Sequence, residues 1–153
     1  MYRFFIMMEL TRKADYAIRG MIYLAGLPEG QIALIGEIAT GAQVPAAFLA
    51  KILQHFVKAG LVISMRGATG GFSLAKNPEQ ITLREIIETI EGPFTPNLCV
   101  MGAGVCSLSQ TCPVHPVWRR IQSTVQGMLD EVTLKTMIKR KAILDRLDPV
   151  QIQ

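Results

Sequence analysis

Residues 34–75 carry the pattern that most restricts how this chain can fold. Ile35, Ile38 and Ala39 share one face of a short segment, 34–40, at helical spacing. Gly41-Ala-Gln-Val44 then breaks it, with a glycine where a left-handed backbone is useful. Pro45 suits the first turn of a second helix. That helix runs to about Ala59 and is expected to bury Phe48, Leu49, Ile52, Leu53 and Phe56, with Gly60 just past its end. Leu61–Met65 and Phe72–Ala75 then flank Arg66-Gly-Ala-Thr-Gly-Gly71, which reads as a β-hairpin with a glycine-rich tip. Helix, four-residue turn, helix and hairpin is the order of a winged helix-turn-helix, a unit that places its second helix in a DNA major groove.

The flanking sequence is helical on both sides. Thr11 is a plausible N-cap for a first helix whose apolar face is Ala14, Ala17, Ile18, Met21, Ile22 and Ala25. Pro28-Glu-Gly30 is a turn. Thr82 with Glu85 three residues on forms a capping box. It opens a helix through Ile86, Ile87 and Ile90 that Gly92-Pro93 stops. Residues 93–116 read as a loop, long for a compact domain and therefore a candidate functional segment. A long amphipathic helix follows, with Val117, Trp118, Ile121, Val125, Met128, Leu129 and Val132 as its stripe. Lys139-Arg-Lys141 opens a basic tail. The fold class expected is mainly α with a small β-hairpin wing. Its divisions are an N-terminal extension at 1–8, the winged helix-turn-helix at 9–80, and a connecting helix and cysteine loop at 81–116. The long C-terminal helix follows at 117–138, then the basic tail at 139–153, a candidate for disorder.

Half of the 153 residues are apolar, enough for a core, and the net charge of +4 suits a polyanionic partner without requiring one. No apolar run approaches the roughly 20 residues that span a bilayer. Met1-Tyr-Arg-Phe-Phe-Ile-Met-Met8 lacks a cleavage site and is short for a signal peptide, so it reads as an extension with Met7 or Met8 as the natural start. A cytoplasmic, membrane-free protein is expected. Paired catalytic carboxylates, a nucleophile motif and a dinucleotide fingerprint are all missing, so no enzyme is expected.

On the second helix of the pair, the positions left outside are Ala46, Ala47, Ala50, Lys51, Gln54, His55 and Lys58. Lys51 can donate to guanine O6 and N7, and alanines let the backbone approach a thymine methyl. Arg66 among the tip glycines suits a narrow minor groove or a phosphate. Arg12 and Lys13 can hold the DNA backbone. The DNA-binding set expected is Arg12, Lys13, Ala47, Phe48, Ala50, Lys51 and Arg66. His55 reads as surface.

All three cysteines, Cys99, Cys106 and Cys112, fall within 14 residues rich in small side chains that let a chain wrap a bulky group. An odd, local set argues against a disulfide framework and for thiolate ligands in a reducing compartment. Three thiolates and a fourth ligand suit an iron–sulfur cluster, 2Fe-2S or 4Fe-4S. Zinc is the competing metal, although the short C-x₂₋₄-C knuckles common in its sites are missing, and free thiols are the third reading. His115, three residues after Cys112, is the local choice for fourth ligand.

The chain resembles the iron–sulfur winged-helix regulators of the IscR, NsrR and RirA type, in the Rrf-two superfamily. The stretches that carry the resemblance are Leu10–Arg19, Phe48-Leu49, Lys58–Val62, Ser64–Gly67, Gly70–Leu74 and Ile81–Ile86, together with the three cysteines and Trp118. The resemblance implies a homodimer formed through the long helix after the cysteine loop, binding a double-stranded operator, mostly as a repressor. It implies that Cys99, Cys106 and Cys112 hold the cluster, with Asp15 (the NsrR-like position) or His115 (the IscR-like position) as fourth ligand. Two features depart from the pattern. Ala50 stands where IscR-like proteins carry a glutamate that restricts the DNA bound, and the first cysteine gap is one residue longer than usual. The alternative is a regulator of the same fold with zinc or no metal, controlled by a small ligand or protein partner.

Overall fold

A computed structural model describes residues 10–147; the expected extension at 1–8 and the end of the tail lie outside the described residues. Thr11 caps α1 (Arg12–Gly26) by accepting from the Ala14 N–H at 3.2 Å. Helix α2 (Ile35–Ala42) and helix α3 (Ala46–Lys58) follow. Strands β1 (Val62–Met65) and β2 (Gly71–Leu74) pair antiparallel, Val62 opposite Leu74 and Met65 opposite Gly71. Then come α4 (Leu83–Glu91), α5 (His115–Asp130) and α6 (Leu134–Leu147). The fold is mainly α with one two-stranded wing, as the sequence pattern predicts.

The core is built where the helical periodicities converge. Met21 of α1, Ile38 of α2, and Leu49, Ile52, Leu53 and Phe56 of α3 are almost fully buried. Each such side chain stabilises the fold by about 1.5–3 kcal/mol. Leu61, Ile81 and Ile86 join the same cluster, and so does Leu134 of α6. A boundary at residue 80 therefore divides one core, because α4 packs on α1 and α6 returns to pack beside it.

Four expectations need correcting. Phe48 is not buried: it is 62% exposed, because the inward face of α3 is set by Leu49, Ile52, Leu53 and Phe56 and leaves Phe48 on the other side. Gly41 lies within α2, and the left-handed residue of the turn is Gln43, φ 55°. Position 41 needs glycine for space: a Cβ there would sit 2.0 Å from the Tyr23 ring. The single helix expected over 117–138 is two helices, α5 and α6, broken at Glu131–Thr133. Backbone bonds at the break, Leu83 N–H to Val132 O at 2.7 Å and Leu134 N–H to Ile81 O at 2.9 Å, turn the chain back onto the core. Finally, residues 139–147 of the expected disordered tail are the second half of α6.

Candidate nucleic-acid interface and cysteine loop

The polar edge of α3 is set by what its apolar edge must bury. Ala46, Ala47, Lys51, Gln54, His55 and Lys58 are exposed, and Ala50, also expected outside, is half-buried. Phe48 stands on its margin against Tyr16 of α1, ring centroids 6.5 Å apart and tilted by 60°. Arg12, Lys13 and Lys51 join these two rings around a cavity of about 300 Å³. Arg12, Lys13, Phe48 and Lys51 are thus brought together, and Ala47 and Ala50 lie on the same helix.

Arg66 is at the wing tip, exposed, with no salt bridge among the described residues. A groove of about 790 Å³ runs between the start of α2, Gln54 of α3 and the wing residues Met65 and Arg66. The wing is fixed to the body by the two bonds between Ala33 and Phe72, each 2.9 Å. Gly71 permits that approach, because a Cβ there would meet the Ala33 carbonyl oxygen at 2.3 Å.

The cysteine loop begins with an anchor that spacing does not reveal. The Phe94 N–H donates to Glu88 Oε1 of α4 at 3.3 Å, and the Phe94 carbonyl accepts from Gln122 Nε2 of α5 at 2.8 Å. Glu88 is itself 3.1 Å from Arg84 Nε, and Arg84 Nη1 donates to Asp130 of α5 at 2.9 Å. The hydrogen bond to Asp130, then the Glu88 carboxylate beside it, holds the Arg84 guanidinium above its ordinary range, so it is cationic throughout. The i,i+4 spacing of Arg84 and Glu88 is a legible signal for one pair. Nothing in the spacing signals Asp130, Gln122 or the Phe94 backbone.

Beyond the anchor, Cys99 lies in a 3-10 turn (Leu98–Val100), and Cys106 and Cys112 lie in irregular chain. All three are half-buried free thiols. His115 opens α5, and its Nδ1 is buried without a hydrogen-bond partner. Three thiols and an unpartnered imidazole nitrogen are a donor set whose chemistry fits an iron–sulfur cluster or zinc. Among the described residues, however, no three His, Cys, Asp or Glu side chains lie close enough together to hold one metal ion. Asp15, the other candidate for fourth ligand, is in an ion pair with Arg19 at 2.6 Å on the exposed side of α1.

Comparison with known proteins agrees with this architecture. A family model described as Rrf2, iron-dependent transcriptional regulator, matches residues 10–140. An HTH-type protein of Aquifex aeolicus is 35% identical over 125 residues, 80% of this chain and 86% of that protein. The HTH-type transcriptional regulator IscR of Cronobacter sakazakii is 29% identical over 141 residues, 92% of this chain and 86% of that one. Among solved structures, CymR, the global cysteine regulator of B. subtilis, superposes with a TM-score of 0.70 at 29% identity, covering 88% of this chain and 98% of that one. IscR of T. potens gives 0.66 at 27% identity, covering 87% and 88%. The chain belongs to the Rrf2 family of winged-helix transcription regulators.

Proposed function

We propose that this regulator acts in the cytoplasm as a homodimer on a double-stranded DNA operator, most simply as a repressor, and that the state of its cysteine loop sets its DNA affinity. The observation that carries the DNA part is the shared exposed face of α3 and the wing, where Ala47, Ala50, Lys51 and Arg66 are free to meet DNA. Lys51 and the two alanines read bases, Phe48 packs on the DNA at the margin, Arg66 enters the minor groove or meets a phosphate, and Arg12 and Lys13 hold the backbone. Two such heads related by a two-fold axis read a roughly palindromic site. The partner copy docks on α5, whose stripe is left open in one chain: none of its residues is fully buried, and Val117 and Met128 are more than half exposed.

In this reading Cys99, Cys106 and Cys112 hold an iron–sulfur cluster, with His115 or Asp15 as fourth ligand. The unpartnered His115 Nδ1 favours His115. The cluster, when bound, supplies iron that responds to redox change, nitric oxide or iron supply. The chain's own part is to gather the loop around its ligands and pass that order through Phe94 to α4 and α5. Iron analysis and visible absorption of anaerobically prepared protein test the cofactor. An operator titration of the loaded and stripped protein at fixed salt tests the sensing, and equal affinities would remove it.

A second reading is favoured by the dispersed thiols. Here the same winged-helix regulator carries zinc or no metal and answers to a small ligand or a protein partner. Colourless, iron-free protein that still binds its operator would establish it.

A further inference from the structure

Lys13 of α1 and His55 of α3 are 42 residues apart, yet Lys13 Nζ lies 3.3 Å from His55 Nε2. Both are exposed, on the face that carries Arg12 and Lys51. An ammonium can only donate, so this contact requires a lone pair on Nε2 and therefore a neutral ring with its proton on Nδ1. Two nitrogen groups from different helices thus converge at a point open to solvent, with no acid between them. We propose that Lys13 and His55 form a seat for one DNA phosphate, and that His55 takes up a proton as that phosphate arrives. This rests on the DNA-binding reading above.

The exchange balances simply. A phosphate oxygen enters and accepts from the Lys13 ammonium, which releases the Nε2 lone pair. Nε2 then binds a proton from solvent and donates it to the same phosphate as a charge-assisted hydrogen bond. The surroundings favour this only when an anion is present. Arg12 and Lys13 come from α1, and Lys51 and Lys58 stand one turn away on either side of His55 on its own helix. The carboxylates on the elements packed against α3 have other partners. Asp15 pairs with Arg19, Glu37 with the Leu34 N–H, Glu85 with Lys76, Glu88 with Arg84, and Glu91 with the Thr11 hydroxyl. Strand β1 carries no ionisable residue. The groups that stand around His55 on this face are cations, and a phosphate seated between Lys13 and His55 supplies the anion the face lacks.

The test uses the full-length protein and a random-sequence duplex of about 30 base pairs, since a phosphate seat acts on any sequence. The wild type is expected to bind roughly three- to tenfold more tightly at about pH 6 than at about pH 8, at constant ionic strength. H55N should remove that difference and lower the salt slope at the acid end by about one. K13M should lower the slope at both ends. In spectra of ring-labelled histidine, the His55 resonance should move to its protonated position on adding duplex near neutral pH.

A wild-type pH dependence retained in H55N overturns the proposal while leaving DNA binding intact. An equal His55 shift with inorganic phosphate at matched ionic strength makes this a free-anion site and overturns the duplex assignment. A wild type that binds no duplex overturns the DNA reading itself and this seat with it.

Discussion

Gly71 shows how one backbone position sets the wing. The Ala33 carbonyl oxygen occupies the space a Cβ would need, and it also accepts from the Phe72 N–H. The obstruction is backbone, so it cannot swing aside. Gly71→Ala is expected to destabilise the protein by about 1–3 kcal/mol, a fall in Tm of about 2–4 °C per kcal/mol in a calorimetric scan. An unchanged Tm would mean that the wing is free to move off Ala33. At the reading face, Lys51→Ala should relax base preference, whereas Arg12→Ala should weaken all sequences alike and lower the salt slope by about one. Binding selected from a random duplex pool separates the two, and a uniform loss for Lys51→Ala would make Lys51 a phosphate contact. On the iron–sulfur reading, replacing any one of Cys99, Cys106 and Cys112 by Ser should abolish bound iron. Comparing His115→Ala with Asp15→Ala by absorption and cluster lifetime identifies the fourth ligand. If neither variant changes the cluster, both assignments fail.

Among the elements, α4 occupies the joint between the reading head and the cysteine loop. Its apolar side, Ile86 and Ile87, is buried in the core, while Arg84 and Glu88 reach Asp130 and the first residues of the loop. The bonds are partly exposed, so each contributes little to stability. Their value is positional: Glu88 and Gln122 take both the N–H and the C=O of Phe94. Arg84→Met should therefore leave thermal stability nearly unchanged but loosen the loop anchor. Amide exchange at Phe94 should speed up, and the difference in operator affinity between loaded and stripped protein should shrink. Unaltered exchange at Phe94 would show that the anchor does not depend on Arg84.

At the scale of the molecule, the two ends of the chain have opposite characters. The reading head closes around one core, but α5 buries none of its residues fully. A half-covered apolar stripe calls for a partner surface. Met128→Asp, placed on a side chain 63% exposed, should leave the fold intact and yield a monomer by sedimentation. Operator binding should fall at the same time, since two linked heads bind far more tightly than one. A Met128→Asp protein that remains dimeric would move the interface away from this face of α5.

What residue order decides in this protein is local. Thr11 as a cap, the inward register of Leu49, Ile52, Leu53 and Phe56, and the hairpin from Val62 to Leu74 follow from turn chemistry and periodicity. Those signals act within a turn or two of chain, and they suffice for a winged helix-turn-helix with Lys51 and Arg66 exposed. The need for glycine at position 41 depends instead on the Tyr23 ring, and the exposure of Phe48 on which side of α3 the core takes. The return of α6 depends on bonds between residues some 50 positions apart, Ile81 with Leu134 and Leu83 with Val132. The anchoring of the cysteine loop and the meeting of Lys13 with His55 are likewise made by helices distant in sequence. Such contacts form only because apolar faces elsewhere dock the helices, so they leave no period or spacing to read. Only the tertiary structure decided them.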